Sequence, residues 1–139
     1  MSRIEFHRVL PSCLNYIPLE VIHYLDRAVK ESLTSDLNTI DAIAYVRLGL
    51  GDIYFVTMDD EIKGAASFVY GKANCGKILD IALAGGDEFL KYRHKAHEFM
   101  LNVAKSNDCK EIWTMGRKGW GKIFPKMRQI GVVYSLKVD

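Results

Sequence analysis

Residues 83–97, LAGGDEFLKYRHKAH, hold the densest chemistry in the chain. Gly85 and Gly86 stand between an apolar run and a helical pattern. In that layout, free backbone amides and the positive end of a helix dipole can hold a phosphate. Glycines let the anion come close to the backbone. The next two residues, Asp87 and Glu88, carry the wrong charge for that task. Asp87 also stands where a helix N-cap would, and a capping carboxylate accepts the same amides a phosphate needs. The sequence therefore predicts a loop with the shape of a phosphate site, closed by Asp87 as a cap. Arg93, His94 and Lys95 are expected one to two turns into the helix, where they offset only part of the acidic charge.

Other reactive side chains stand apart. His94 and His97 share a helical face at i, i+3, but no third metal ligand is evident. Cys13, Cys75 and Cys109 are widely spaced, odd in number and without a CxxC step, which argues against a disulfide framework and against zinc. They read as idle thiols in a reducing compartment. Cys109 has no partner His in sequence, and Ser67 and Ser135 have no triad context. In GRKGWGK, Trp120 lies among Arg117, Lys118 and Lys122, with Lys126 and Arg128 beyond. Trp and Arg dominate protein–protein hot spots, so this stretch is the expected partner surface. The plainer alternative folds Trp120 back onto the core.

A chain of 139 residues predicts one domain, residues 1–139. With 49% apolar and 26% charged residues it has an ordinary globular composition. A net charge of +2 gives no footprint for nucleic acid or an anionic membrane. No apolar run approaches the ~18 residues of a membrane span. The first ten residues, MSRIEFHRVL, lack a signal-peptide core, which places the expectation in the cytoplasm.

Residues 3–10 alternate as a strand with Ile4, Phe6 and Val9 inward, ended by Pro11. Residues 18–33 place Val21, Ile22, Leu25, Ala28, Val29 and Leu33 on one helical face. Asn38 or Thr39 can cap a second helix, in which Ile40, Ile43, Ala44 and Arg47 have helical spacing; Gly49 and Gly51 end it. Residues 52–58 and 62–71 form a hairpin about the turn DDE. After the turn GKANCGK, residues 78–86 read as a central strand. A long helix from Glu88 to about Ser106 should bury Phe89, Tyr92, Ala96, Phe99, Met100 and Val103. Residues 110–116 and 132–138 are further strands, with a short helix or irregular stretch between. Hairpins feeding a strand–helix–strand crossover predict an α/β fold: a mixed, mostly antiparallel central sheet with helices on both faces.

That element order, with ILDIALAGG, the long helix and SNDCKEIWTM in sequence, resembles the GNAT superfamily of N-acetyltransferases over essentially the whole chain. The LAGG turn before the helix and the GRKGW turn after the next strand resemble small GNAT-like proteins of tailed bacteriophages. That resemblance implies phage structural or assembly proteins, or a host protein, as partners, and the host cytoplasm or the virion as location. Membrane is not implied, and nucleic acid is disfavoured by the low net charge. In GNAT enzymes the pyrophosphate of acetyl-CoA sits at the start of the long helix, on a motif resembling Arg/Gln-x-x-Gly-x-Gly/Ala. Here Gly85 and Gly86 match, but no Arg or Gln opens the motif and no further Gly follows at the family spacing. The enzymes commonly use a carboxylate on a central strand as base and a Tyr beyond the last helix as acid, which would fall on Asp80 and Tyr134. The plainer readings are a structural carboxylate and a packed tyrosine. The expectation is thus a catalytically degenerate protein with no cofactor, acting through protein contacts. The rival is an acetyl-CoA-dependent N-acetyltransferase using Gly85, Gly86, Asp80 and Tyr134; a host-takeover factor is a third.

Overall fold

The computed structural model describes residues 2–31, 37–114, 127–128 and 136–137. Strand β1, Ile4–Arg8, leads into a 3-10 helix, Pro11–Tyr16, and then helices α1, Leu19–Glu31, and α2, Thr39–Arg47. Strands β2, Gly51–Met58, β3, Glu61–Ala73, and β4, Gly76–Gly86, follow. A second 3-10 helix, Phe89–Lys91, precedes α3, Arg93–Ser106, and then β5, Glu111–Thr114. The sheet order is β1-β2-β3-β4-β5. The first three pairings are antiparallel, and β4 runs parallel to β5. A parallel pair needs a crossover, and α3 supplies it. This is the mixed, mostly antiparallel sheet expected from the sequence.

Local chemistry explains the turns. Met58 pairs with Glu61, so Asp59 and Asp60 form a two-residue hairpin loop. Both have positive φ, 52° and 69°, the left-handed pair that suits the strand twist and that Asp tolerates. Ala73 pairs with Gly76, which shortens the expected seven-residue turn to Asn74-Cys75. Pro11 ends β1 and also opens the 3-10 helix, at a position where its missing N–H costs nothing.

The helices cover both faces. Val21, Leu25 and Ala28 of α1 and Ala42 and Val46 of α2 pack with Ile53, Ala65 and Leu83. On the opposite face Met100, Val103 and Ala104 of α3 cover Phe68, Leu79 and Ile81. Phe6 stacks on Phe99 at 4.5 Å between ring centres. The buried face of α3 is the expected one. On α2, Ala42 and Val46 turn inward, while Ile40 is 77% exposed. Asn38 is the cap, in a reciprocal capping box with Asp41. The box and the docking of Val46 set the helix's rotation, which helical spacing by itself does not give.

Candidate functional site

Strand β4 does not stop at the glycines. Gly85 pairs with Ala65 and Gly86 with Gly64, so both belong to the sheet and not to a turn. Their lack of side chains answers to packing. A Cβ on Gly85 would lie 2.7 Å from the Tyr24 carbonyl oxygen of α1. One on Gly86 would lie 2.6 Å from the Tyr92 hydroxyl, and one on Gly64 would lie 2.9 Å from it. The three glycines open a slot on each face of the sheet where β3 begins and β4 ends: for the α1 backbone on one, and for a buried tyrosine on the other. Burial pushes the Tyr92 phenol up to about 12.

The loop beyond is built differently from the expected cap. Glu88 adopts a left-handed backbone, φ 56°, and a 3-10 turn follows before α3 begins at Arg93. Asp87 is therefore five residues too early to cap α3, whose N-cap is Tyr92, with no side-chain hydrogen bond. The Asp87 carboxylate turns toward α1 instead. The Tyr24 hydroxyl donates to Oδ2 at 3.0 Å, and Arg27 Nη2 lies 3.1 Å from Oδ1. The Tyr24 hydrogen bond, then Arg27, hold this carboxyl below its ordinary range. Glu88 is paired with Lys91 at 2.6 Å and Lys63 at 3.2 Å, which lower it in that order. The backbone is tied as well: Asp87 N–H donates to the Lys63 carbonyl, Lys91 N–H to Glu88 and Tyr92 N–H to Phe89.

Two expectations change. The repulsion attributed to Asp87 and Glu88 is largely offset by Arg27 and Lys63, which approach from α1 and β3 and were not foreseen. Tyr24 and Arg27 stand three apart on α1, and nothing local announces their target. Arg93, His94 and Lys95 do not lie deep in the helix but form its first turn, which holds no acid. Basic groups at the positive end of a helix dipole are locally unfavourable, and an anion would relieve them.

Asp80 lies on β4 opposite Val69 and beside Trp113 of β5. Burial alone pushes its carboxyl up, and no described residue bonds to it. Tyr134, Arg117, Lys118, Trp120 and Lys122 lie outside the described residues, so neither the acid nor the expected partner surface is placed. Among the described residues no three His, Cys, Asp or Glu side chains converge as a metal would require. Burial raises the Cys109 thiol, the wrong direction for a nucleophile. Ser67 is 1% exposed and its Oγ has no hydrogen-bond partner among the described residues. A further network, unforeseen, joins buried Asp52 to Arg8 Nε at 2.9 Å and the Tyr70 hydroxyl at 2.6 Å. It ties β1, β2 and β3 together on the α3 face.

No helix among the described residues is long and apolar enough to cross a membrane. No family model matches the sequence, and no curated protein does. Solved structures do. An aminoglycoside acetyltransferase from an uncultured soil metagenomic sample superposes with a TM-score of 0.67 at 9% identity, over 98% of this chain and 97% of that one. A predicted acetyltransferase from Clostridium acetobutylicum, solved with acetyl-CoA, gives 0.65 at 10% identity, over 99% and 96%. Glucosamine-6-phosphate N-acetyltransferase from Arabidopsis thaliana gives 0.59 at 17% identity, over 99% of both chains. The fold is that of the GNAT acetyltransferases; at these identities the likeness extends to the fold alone.

Proposed function

We propose that this chain is a bacteriophage GNAT-fold protein that has lost cofactor chemistry and acts through protein contacts, in the virion or its assembly. One observation carries the loss of chemistry: the β4–α3 loop is closed by its own side chains. Asp87 is held by Tyr24 and Arg27, and Glu88 by Lys63 and Lys91. A pyrophosphate entering there would have to displace the carboxylates from these cations or share them. The donors do not fit the group. The phage setting rests on the resemblance of the LAGG and GRKGW stretches. The contact surface proposed is Arg117, Lys118, Trp120 and Lys122, with Trp120 as anchor and the bases steering an acidic partner.

A second reading has its own support. The first turn of α3 is uncapped and basic, and a structural neighbour was solved with acetyl-CoA. On that reading the chain is an acetyl-CoA-dependent N-acetyltransferase, with Asp80 as base and Tyr134 as acid. A host-takeover factor would share the first reading's lack of cofactor and differ in its partner. The test is co-assembly with phage structural proteins, comparing wild type with Trp120→Ala and with Arg117→Glu/Lys118→Glu. Loss of assembly with an unchanged circular dichroism spectrum supports the contact role. Normal assembly in both variants removes the surface, and capture of a bacterial protein in place of a phage one moves the role to the host.

A further inference from the structure

Strand β1 is the outer strand of the five-stranded sheet, with β2 on one side and no described strand on the other. The register decides which of its backbone groups face that open side. The Val9 N–H donates to the Ile53 carbonyl and the Asp59 N–H to the Arg3 carbonyl, and both pairs continue the β1–β2 register. The odd-numbered residues therefore turn their backbone groups toward β2. Those of Ile4, Phe6 and Arg8 point outward, where no described residue bonds to them.

Sheets commonly guard such an edge with lysine, proline, a bulge or a projecting charge. Ile4–Arg8 holds neither lysine nor proline, and it pairs with β2 without a bulge. The arginines at its two ends are drawn back over the protein's own sheet, Arg8 by Asp52 of β2 at 2.9 Å and Arg3 by Asp60 of the next turn. Half-buried aromatic pairs stand at the edge on both faces: Phe6 on Phe99 of α3, and His7 on Phe55 at 4.8 Å between ring centres. An open edge without these guards is a template for a further strand. In strand addition the backbone bonds give affinity and the side chains give specificity.

This edge complements itself. A second copy running antiparallel must set outward residues opposite outward residues. Centred on Phe6, the pairing sets Phe6 opposite its own copy and Ile4 opposite Arg8 twice, so each outward residue exchanges both of its bonds. Every other centre leaves at least one of Ile4, Phe6 and Arg8 beyond the other copy's strand, and Glu5 or Arg8 as centre would also oppose like charges. In the Phe6 register the closer, non-hydrogen-bonded pairs are Glu5 with His7, twice. Glu5 uses Oε1 for Arg3 and His7 uses Nε2 for Thr57 Oγ1. That leaves Glu5 Oε2 and His7 Nδ1 without a partner among the described residues, an acceptor and a donor for each other across the two copies.

We propose that this chain forms a two-fold homodimer by antiparallel β1–β1 pairing centred on Phe6, which joins the two sheets into one. The dyad stands perpendicular to the sheet, so α3 of both copies covers one face and α1 and α2 of both cover the other. It brings the two Phe6 rings side by side, and the isologous contact leaves neither β1 edge open.

Sedimentation equilibrium and register-specific cross-linking test this, with circular dichroism as the fold control. The wild type should sediment as a dimer. Ile4→Pro removes an outward N–H that the single chain does not use, and should sediment as a folded monomer. In a Cys13→Ser/Cys75→Ser background, Glu5→Cys mixed with His7→Cys should oxidise to a disulfide-linked pair, because a cross-strand Cα separation of ~4.5 Å suits a disulfide. Glu5→Cys alone should not, since its two copies stand ~7–8 Å apart on the diagonal. A wild-type monomer at hundred-micromolar concentration overturns the proposal. So does a dimer that survives Ile4→Pro, or one in which Glu5→Cys links to itself as readily as to His7→Cys. Should Ile4→Pro not fold, the cross-links decide alone.

Discussion

The hydroxyl of Tyr24 donates to Asp87 across 3.0 Å, linking the middle of α1 to the loop after β4. With Arg27 it makes the acidic loop a structural clasp. Asp87 sits below its ordinary pKa, so its contribution is present above the unfolded value near 3.8 and is lost as pH falls through the lower, folded one. Tyr24→Phe keeps the ring and removes the bond. It should lower the urea midpoint at pH 7, and the gap to wild type should narrow as pH falls below the unfolded value near 3.8 and through the lowered folded one, as Asp87 protonates in both proteins. A gap that is constant with pH would show that the loss comes from packing.

Gly86 and Tyr92 should be energetically coupled. Gly86→Ala places a methyl group 2.6 Å from the phenolic oxygen and should cost about 1–3 kcal/mol. Tyr92→Phe removes that oxygen, so the double variant should recover part of the loss. The remainder comes from the Lys63 carbonyl, 3.0 Å from the same Cβ. Gly85→Ala meets the Tyr24 carbonyl and should gain nothing from Tyr92→Phe. Strict additivity in the Gly86–Tyr92 cycle, measured by denaturant melts, would mean the two do not share the slot.

These glycines show where sequence legibility ended. The strand, the long helix and its buried side were readable because hydrophobic period is a local signal: Ala96, Met100 and Val103 lie inside as spaced. The glycine pair was readable as special, but the reason lay in Tyr24 and Tyr92, which only the folded chain brings near. Likewise Asp87 fits the local rule for a cap, and the rule lost to a tyrosine 63 positions away. On α2 the period is real, but its phase is set by the Asn38–Asp41 box and the docking of Val46, so spacing alone does not say that Ile40 faces outward.

Asp80 should be a net cost to stability at neutral pH. Burial raises its carboxyl above the unfolded value near 3.8, so folding takes up a proton between the two values and stability falls as pH rises through them. Asp80→Asn should raise the melting midpoint at pH 7, and the gain should vanish below about pH 3.5, where the acid is protonated in both states. A neutral or destabilising Asp80→Asn at pH 7 would point to a partner for the carboxylate.

The face of α3 makes a simple contrast. Met100 is 9% exposed and packs on Phe68, Leu79 and Ile81, so Met100→Asp buries an unpaired charge and should cost several kcal/mol, in the ~4–5 kcal/mol range that is exceptional for one substitution. Lys95 is exposed in the first turn of α3, and Lys95→Asp, which puts an acid at the positive end of the dipole, should not destabilise and should add about 0.3–1 kcal/mol. Equal effects in thermal melts would mean α3 is rotated from the orientation described.

The central claim is that the clasped loop no longer serves acetyl-CoA. Isothermal titration of the full chain with millimolar acetyl-CoA, alongside a thermal-shift series, tests it most directly. The account predicts no heat of binding and no shift in the melting midpoint. Saturable binding, with a stabilisation approaching about 2.7 kcal/mol at one hundred times the measured dissociation constant, would contradict it. If that binding fell on Arg93→Glu/Lys95→Glu, the basic first turn of α3 would be the phosphate site and the chain a cofactor-binding acetyltransferase.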